Sequence, residues 1–281
     1  MQGEDKTVES VRALLDQLAR HQFLTAAHLT VLSDDRTQDV APMLGNLVAR
    51  SLVNELQRGA GMASAYALST RGARLLHETG GPLVKAPNKR KSLFMLDHEL
   101  ALADVAVVFH RLHRSGLIRL LRWEASRTQL GDSAWVRWRG EHVRVPLVPD
   151  ALAILEHDGR VEALLIEVDR GTVGIPRMSL KYAGFRQWWS EDGAQNRFGV
   201  RGVRVLTVAP GAHRLRRLQQ SAHESTGGHA GGLLWFITQD SFDIRAPSRL
   251  FSAPCFIASP TVDSRTLWSN ASRPSAAEAS P

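Results

Sequence analysis

Four side chains near the middle of this sequence have the types and spacing to handle a phosphate and a hard metal ion: Asp150, Glu167, Asp169 and Lys181. The stretch EALLIEVDRGT, residues 162–172, is apolar for most of its length and then ends in Glu167, Asp169 and Arg170. Side chains alternate along a strand, so Glu167 and Asp169 leave it on one face. Asp158-Gly159 is a strong two-residue hairpin signal. A turn centred there pairs residues whose numbers add to 317, which sets Asp150 directly opposite Glu167. A four-residue loop keeps that register and a three-residue loop shifts it by one. Opposed side chains lie roughly 5 Å apart, where like charges repel. Leu152, Ile154, Ala163 and Leu165 share the face, so the acids sit at the rim of a core. A divalent cation held by Asp150, Glu167 and Asp169 would resolve the repulsion, and oxygen-only ligands favour Mg²⁺ or Mn²⁺ over zinc. The competing reading is a structural cluster neutralised by Arg170 or Arg144.

Lys181 sharpens the choice. Met178, Lys181, Tyr182, Phe185 and Trp188 fall on one helical stripe, so the lysine lies on the apolar face that must meet the sheet. Arginine supplies 30 of the 35 basic residues, and Lys181 is the one lysine after residue 91. An ammonium kept at that position suits a role that guanidinium fills poorly, such as positioning a water nucleophile or touching a scissile phosphate. Snorkelling along the helix edge is its structural alternative. Glu124, at the end of the preceding strand, is a candidate fourth carboxylate, and His98 and Glu99 on a long helix are further candidates.

The elements that position these residues follow from periodicity. Val11, Leu14, Leu15 and Leu18 mark a helix over 9–20; Thr25 caps a short helix to Leu32; a third runs from Thr37 to Arg50 with Val40, Met43, Leu44, Leu47 and Val48 buried. LVNELQR and AYALS flank GAGMAS as a hairpin. Three short helices and a ribbon predict a winged helix-turn-helix over 1–79, whose third helix enters the major groove. Arg36, Gln38, Asn46 and Arg50 around that helix and Arg58 in the wing are the expected DNA contacts. The segment 80–91, GGPLVKAPNKRK, reads as a basic linker in which Lys89, Arg90 and Lys91 follow a phosphate backbone. A helix over 92–115 then leads to strands at LIRLLRWEAS, VRVPLVPDALAIL and VEALLIEVD. A helix from Pro176, a strand VRVLTVA, a basic helix AHRLRRLQQSAH and a strand LLWFITQ complete a domain over 92–258. Arg214, Arg216 and Arg217 of the basic helix are expected on duplex DNA. Residues 259–281 are rich in Ser, Ala and Pro and predict a disordered tail.

Composition fits this outline. The 281 residues are 43% hydrophobic, carry a net charge of +7 and have a pI near 10.3, a range in which nucleic acid is a plausible partner. Residues 1–91 hold 12 basic and 9 acidic residues, a net of +3, so an N-terminal protein-protein module remains the alternative there. No apolar run is long enough for a membrane span and the N-terminus lacks a signal peptide, so a cytoplasmic protein without membrane contact is expected. The single Cys255 excludes an internal disulfide framework and a cysteine-based zinc site within one chain. Walker A, Gly-x-Gly-x-x-Gly, His-Glu-x-x-His and Gly-x-Ser-x-Gly patterns are absent.

A helix, three meandering strands, a helix and a strand, with Pro149-Asp150 on the second strand and Glu167-Val168-Asp169 on the third, resembles the core of the PD-(D/E)XK nuclease superfamily. That resemblance implies an α/β fold of three layers around a mixed central sheet, acidic residues holding Mg²⁺, and a lysine assisting the attacking water. Asp169 occupies the usual lysine position, so Lys181 would supply the ammonium from the next helix. The chain is also similar to the replication-relaxation family of plasmids and mobile elements. This likeness rests on the winged-helix start, His98-Glu99-Leu100, Trp123-Glu124, Pro149-Asp150-Ala151, Glu167 through Thr172 and Lys181-Tyr182. It implies plasmid replication and DNA relaxation, with replication proteins as further partners. Two readings stand: a DNA-binding protein with a nicking nuclease site in which Glu124 joins Asp150, Glu167, Asp169 and Lys181, or a non-catalytic replication or transcription factor on the same fold.

Overall fold

The computed structural model describes residues 2–33, 40–87, 93–125, 131–230, 232–259 and 264–268. The chain divides into two compact units, 1–107 and 108–281. In the first, α1 (Gln2–His21), β1 (Leu24–Thr25), α2 (Ala26–Leu32), α3 (Val40–Ala49), β2 (Val53–Leu56), β3 (Ala65–Leu68) and α4 (Thr70–Glu78) follow one another. The strands form an antiparallel sheet in the order β1-β3-β2. Thr25 caps α2 as its sequence predicts: its hydroxyl accepts from the His28 amide, and its own amide donates to His28 Nδ1 at 3.1 Å. That bond leaves the proton on Nε2, which meets Asp104 Oδ1 at 2.7 Å. On α3, Val40, Leu44 and Leu47 are buried, whereas Met43 and Val48 are only half-buried.

The expected boundary at residue 92 is displaced. The division falls inside α5 (Leu93–Arg114). Leu96 and Leu100 share a core with Phe23, Ala65 and Ala67, and Asp97 takes an ion pair from Arg58, so the first turns of α5 belong to the N-terminal unit. Apolar contact, rather than linker composition, sets the edge of a unit.

The second unit is built on a mixed sheet in the order β11-β10-β9-β8-β7-β4, with β4 (Arg119–Glu124), β7 (Ala151–His157), β8 (Arg160–Val168), β9 (Gly202–Ala209), β10 (Leu234–Thr238) and β11 (Phe256–Ile257). The β4-β7-β8 meander is antiparallel, and β8-β9-β10 is parallel. Asp158 and Gly159 both have positive φ, as the two-residue turn joining β7 to β8 requires. The expected register holds from His157↔Arg160 to Ala151↔Ile166. On one face Leu152, Ile154, Ala163 and Leu165 join α6 (Ile175–Ser190) and α8 (Ala212–Ser225) in a single core through Met178, Tyr182, Phe185, Leu215 and Leu218. On the other face the last turns of α5 place Phe109 6.2 Å from Trp123, so the sheet lies between helical layers. A short helix, α7 (Gly193–Phe198), follows α6.

One expected strand is two. VRVPLVPDALAIL is divided between β6 (Glu141–Leu147) and β7, which belong to different sheets. Pro149, which has no amide proton for a ladder, falls in the break. β6 pairs instead with β5 (Asp132–Trp138) in a separate antiparallel ribbon that the sequence reading had not assigned. The inner face of this ribbon packs on α6, where a Cβ on Gly184 would come within 2.9 Å of Leu147 and 3.0 Å of Val145. Trp188 Nε1 also donates to Asp132 Oδ2 at 2.9 Å.

The expected tail begins too early. Residues 264–268 pack on the fold: Cys255 and Arg265 exchange backbone hydrogen bonds, and Leu267 is fully buried. Arg204 pairs with Glu162 at 2.9 Å, covers the Trp235 ring and donates to the Leu267 carbonyl. Residues 269–281 lie outside the described residues. Burial pushes the Cys255 thiol up to about 12. Cys255 should therefore resist Ellman's reagent in the native protein and react fully in denaturant; rapid native labelling would show that the Cys255–Arg265 pairing opens.

Candidate functional site

Asp150, Glu167 and Asp169 are all buried at one end of β7 and β8. Each carboxylate accepts from a different donor, and none of the three is the expected Arg170 or Arg144. The regular ladder stops at Ala151↔Ile166, so Asp150 is not the ladder partner of Glu167. Instead the Asp150 amide donates to Ile166 O at 2.8 Å, and the side chain turns back so that Oδ2 accepts the Val168 amide at 2.8 Å. Pro149 cannot continue the ladder, and the carboxylate takes over the amide of the residue between Glu167 and Asp169.

Lys181 reaches the site from α6 as its place on the apolar stripe predicts. Its Nζ donates to Glu167 Oε2 at 2.6 Å and to Val148 O at 3.0 Å, and lies 5.8 Å from the centre of the Phe185 ring. Snorkelling is excluded by these contacts, because the ammonium points inward and its side chain keeps 22% exposure. The lysine therefore ties the end of β8 to the segment leading into β7. Beside it Tyr182 is fully buried and shares a hydrogen bond with Thr207 at 3.3 Å; burial raises the phenol above its ordinary range.

Asp169 has a partner the sequence reading placed elsewhere. Arg214 of α8 grips it with two bonds, Nε to Oδ2 at 2.7 Å and Nη2 to Oδ1 at 3.1 Å, and also donates to Val173 O at 2.5 Å. Arg214 is thus a structural partner in this arrangement and not an exposed contact for DNA. The hydrogen bonds to Asp169, more than its charge, push the guanidinium further up. The sequence holds a signal for this: Arg214 precedes the buried Leu218 by one helical turn and adjoins the buried Leu215, while Arg216 and Arg217 fall on the exposed side. Arg170 and Arg144, the expected neutralising partners, do not fill that role; Arg144 donates to Ser133 Oγ at 3.0 Å instead.

These contacts bear on a metal ion. Both oxygens of Asp169 face Arg214, so a three-carboxylate cage of Asp150, Glu167 and Asp169 does not fit. Among the described residues no group of three or more His, Cys, Asp or Glu side chains is arranged to hold a metal ion. Asp150 and Glu167 remain, with Oδ2 of the first on the Val168 amide and Oε2 of the second on Lys181; Mg²⁺ is commonly bound through one or two carboxylates with substrate phosphates completing its shell. Glu124 is opposite Leu152 on the edge strand and is engaged by Arg122, so it does not extend the set.

The other expected contacts are distributed as follows. Asn46 and Arg50 are exposed one turn apart at the end of α3. Arg58 is held by Asp97 at 2.6 Å and by Ala63 O, which removes it from the free contacts of the hairpin. Arg216 and Arg217 are exposed on α8. Arg36, Gln38, Lys89, Arg90 and Lys91 lie outside the described residues. His98 and Glu99 belong to the first unit.

Fold and site together define a mixed α/β protein in which two acids and an ammonium meet at one end of a central sheet. A family model described as replication-relaxation matches residues 15–203, more than half of the chain and the whole of this site. The protein belongs to the replication-relaxation family. No curated protein and no solved structure matches it. No helix among the described residues is long and apolar enough to cross a membrane.

Proposed function

We propose that this member of the replication-relaxation family binds duplex DNA and nicks it at a site formed by Asp150, Glu167 and Lys181. The observation that carries the reading is the 2.6 Å contact between Lys181 and Glu167, made by an inward-facing lysine in a chain whose basic residues are otherwise almost all arginine. The order of elements from α5 to β9, apart from the inserted β5-β6 ribbon, supports a core of PD-(D/E)XK type. The α1–α3 helices and the β2-β3 hairpin support a winged helix, with Asn46 and Arg50 facing the groove. Arg216 and Arg217 supply positive charge for the phosphate backbone.

Asp150 and Glu167 would hold Mg²⁺ or Mn²⁺, which when bound polarises a phosphate and acidifies a coordinated water. Lys181 would orient the attacking water or the scissile phosphate, with Val148 O and Glu167 fixing its head. Arg214 occupies both oxygens of Asp169, so that this acid does not compete for the ion. The same Asp169–Arg214 pair favours a second reading, a DNA-binding factor without catalysis, because an arginine-held acid stands where the motif has its lysine.

Supercoiled plasmid incubated with the protein separates the two. Conversion to open circle with Mg²⁺, none with EDTA, and none for Asp150→Asn or Glu167→Gln is the expected result. Retention of DNA in a gel shift without conversion would establish the non-catalytic reading.

A further inference from the structure

The β5-β6 ribbon carries a face that the acidic site does not use. Its register sets Trp135 opposite Arg144 and Arg137 opposite His142, and all four side chains are exposed. Among the seven tryptophans Trp135 is the exposed one, with 61% of its surface in solvent. The alternate residues Ala134, Val136, Val145 and Leu147 are buried against α6. The two carboxylates of the ribbon do not neutralise this face. Asp132 accepts from the Ser133 amide and from Trp188, and Glu141 is paired with Trp138, one step out of phase with the exposed residues. The ribbon also holds Arg139 in its turn.

An unburied indole among arginines, without a carboxylate on the same face, has the chemistry of a polyanion that also offers flat apolar rings. A duplex keeps its bases stacked on each other, and its backbone alone gives the indole nothing to cover. Unpaired bases do: stacking on an aromatic ring, combined with arginines along the phosphates, is the common means of holding a single strand without regard to sequence. We infer that the outer face of the β5-β6 ribbon binds single-stranded DNA, with Trp135 as the stacking platform and Arg137 and Arg144 on the phosphates. The inference rests on the reading that this protein works on DNA, and it does not depend on nicking.

Fluorescence anisotropy of labelled oligothymidylate with the full chain tests it. Trp135→Ala should weaken binding about tenfold or more, and Trp135→Phe should retain most of it. Arg137→Ala with Arg144→Ala should weaken binding and reduce the slope of log affinity against log salt by about 0.7 per charge removed. These side chains are exposed, so an unchanged thermal midpoint should accompany each loss. Trp135→Ala should bind a matched duplex as the wild type does, which separates this face from the duplex contacts. Wild-type affinity in Trp135→Ala, equal weakening on a matched duplex, or capture of phosphatidylserine vesicles through Trp135 with no oligomer binding would each overturn the inference.

Discussion

Arg214→Ala is expected to destabilise the protein by about 3–5 kcal/mol, read as a shift of the urea midpoint with an unchanged slope. The Asp169 side chain keeps 1% exposure and Arg214 14%, so solvent does little to screen either charge. Removing the guanidinium takes both of its hydrogen bonds from a buried carboxylate and also frees the Val173 carbonyl. The companion variant is Asp169→Asn with Arg214→Met, which removes both charges and should recover much of the loss, since the pair as a whole contributes far less than either orphaned half costs. A loss below about 1 kcal/mol for Arg214→Ala would place this pair with exposed ion pairs and refute its structural role.

On the nicking reading proposed above, Lys181→Met is expected to lower plasmid nicking by about 10²–10³-fold, the usual consequence of removing one preorganised charge from a reacting phosphate or water. Gel-shift affinity for duplex should stay within about twofold, because the ammonium is turned toward Glu167 and Val148 rather than outward. Lys181→Arg should fail to restore the rate: a planar fork does not take the place of a compact ammonium that bonds Glu167 and Val148 at once. Stability needs separate control, since the single variant removes the Lys181–Glu167 bond at a buried carboxylate. The double variant Glu167→Gln with Lys181→Met should regain stability, which isolates the structural part of the single variant's loss; its nicking does not bear on Lys181, because Glu167→Gln alone is expected to be inactive. Nicking by Lys181→Met at the wild-type rate would exclude the ammonium from the chemistry.

Local pattern was sufficient for much of the architecture. Thr25 as a cap, the Asp158-Gly159 turn, the helix carrying Lys181 and the apolar face of Leu152, Ile154, Ala163 and Leu165 all depend on contacts a few residues apart, or on the period of a single element, and all appear as the sequence implies. The inward direction of Lys181 follows from that same period. The hairpin register could be counted from its turn as far as Ala151, because each rung fixes the next.

Tertiary structure decided the rest, since it turns on which distant groups arrive beside one another. Composition cannot say that Leu96 and Leu100 pack with Phe23, Ala65 and Ala67, and so where the first unit ends. Nor does it show that residues 264–268 return to Cys255. Pro149 marked a break in a ladder, but the turn of Asp150 onto the Val168 amide depended on how two strands end together. Most consequentially, Arg214 and Asp169 are 45 residues apart, and only the packing of α8 on the sheet brings them to 2.7 Å. A charge in a sequence is a donor or acceptor without a stated partner, and the fold assigns the partner; that assignment here gives Asp169 to Arg214 and Glu167 to Lys181.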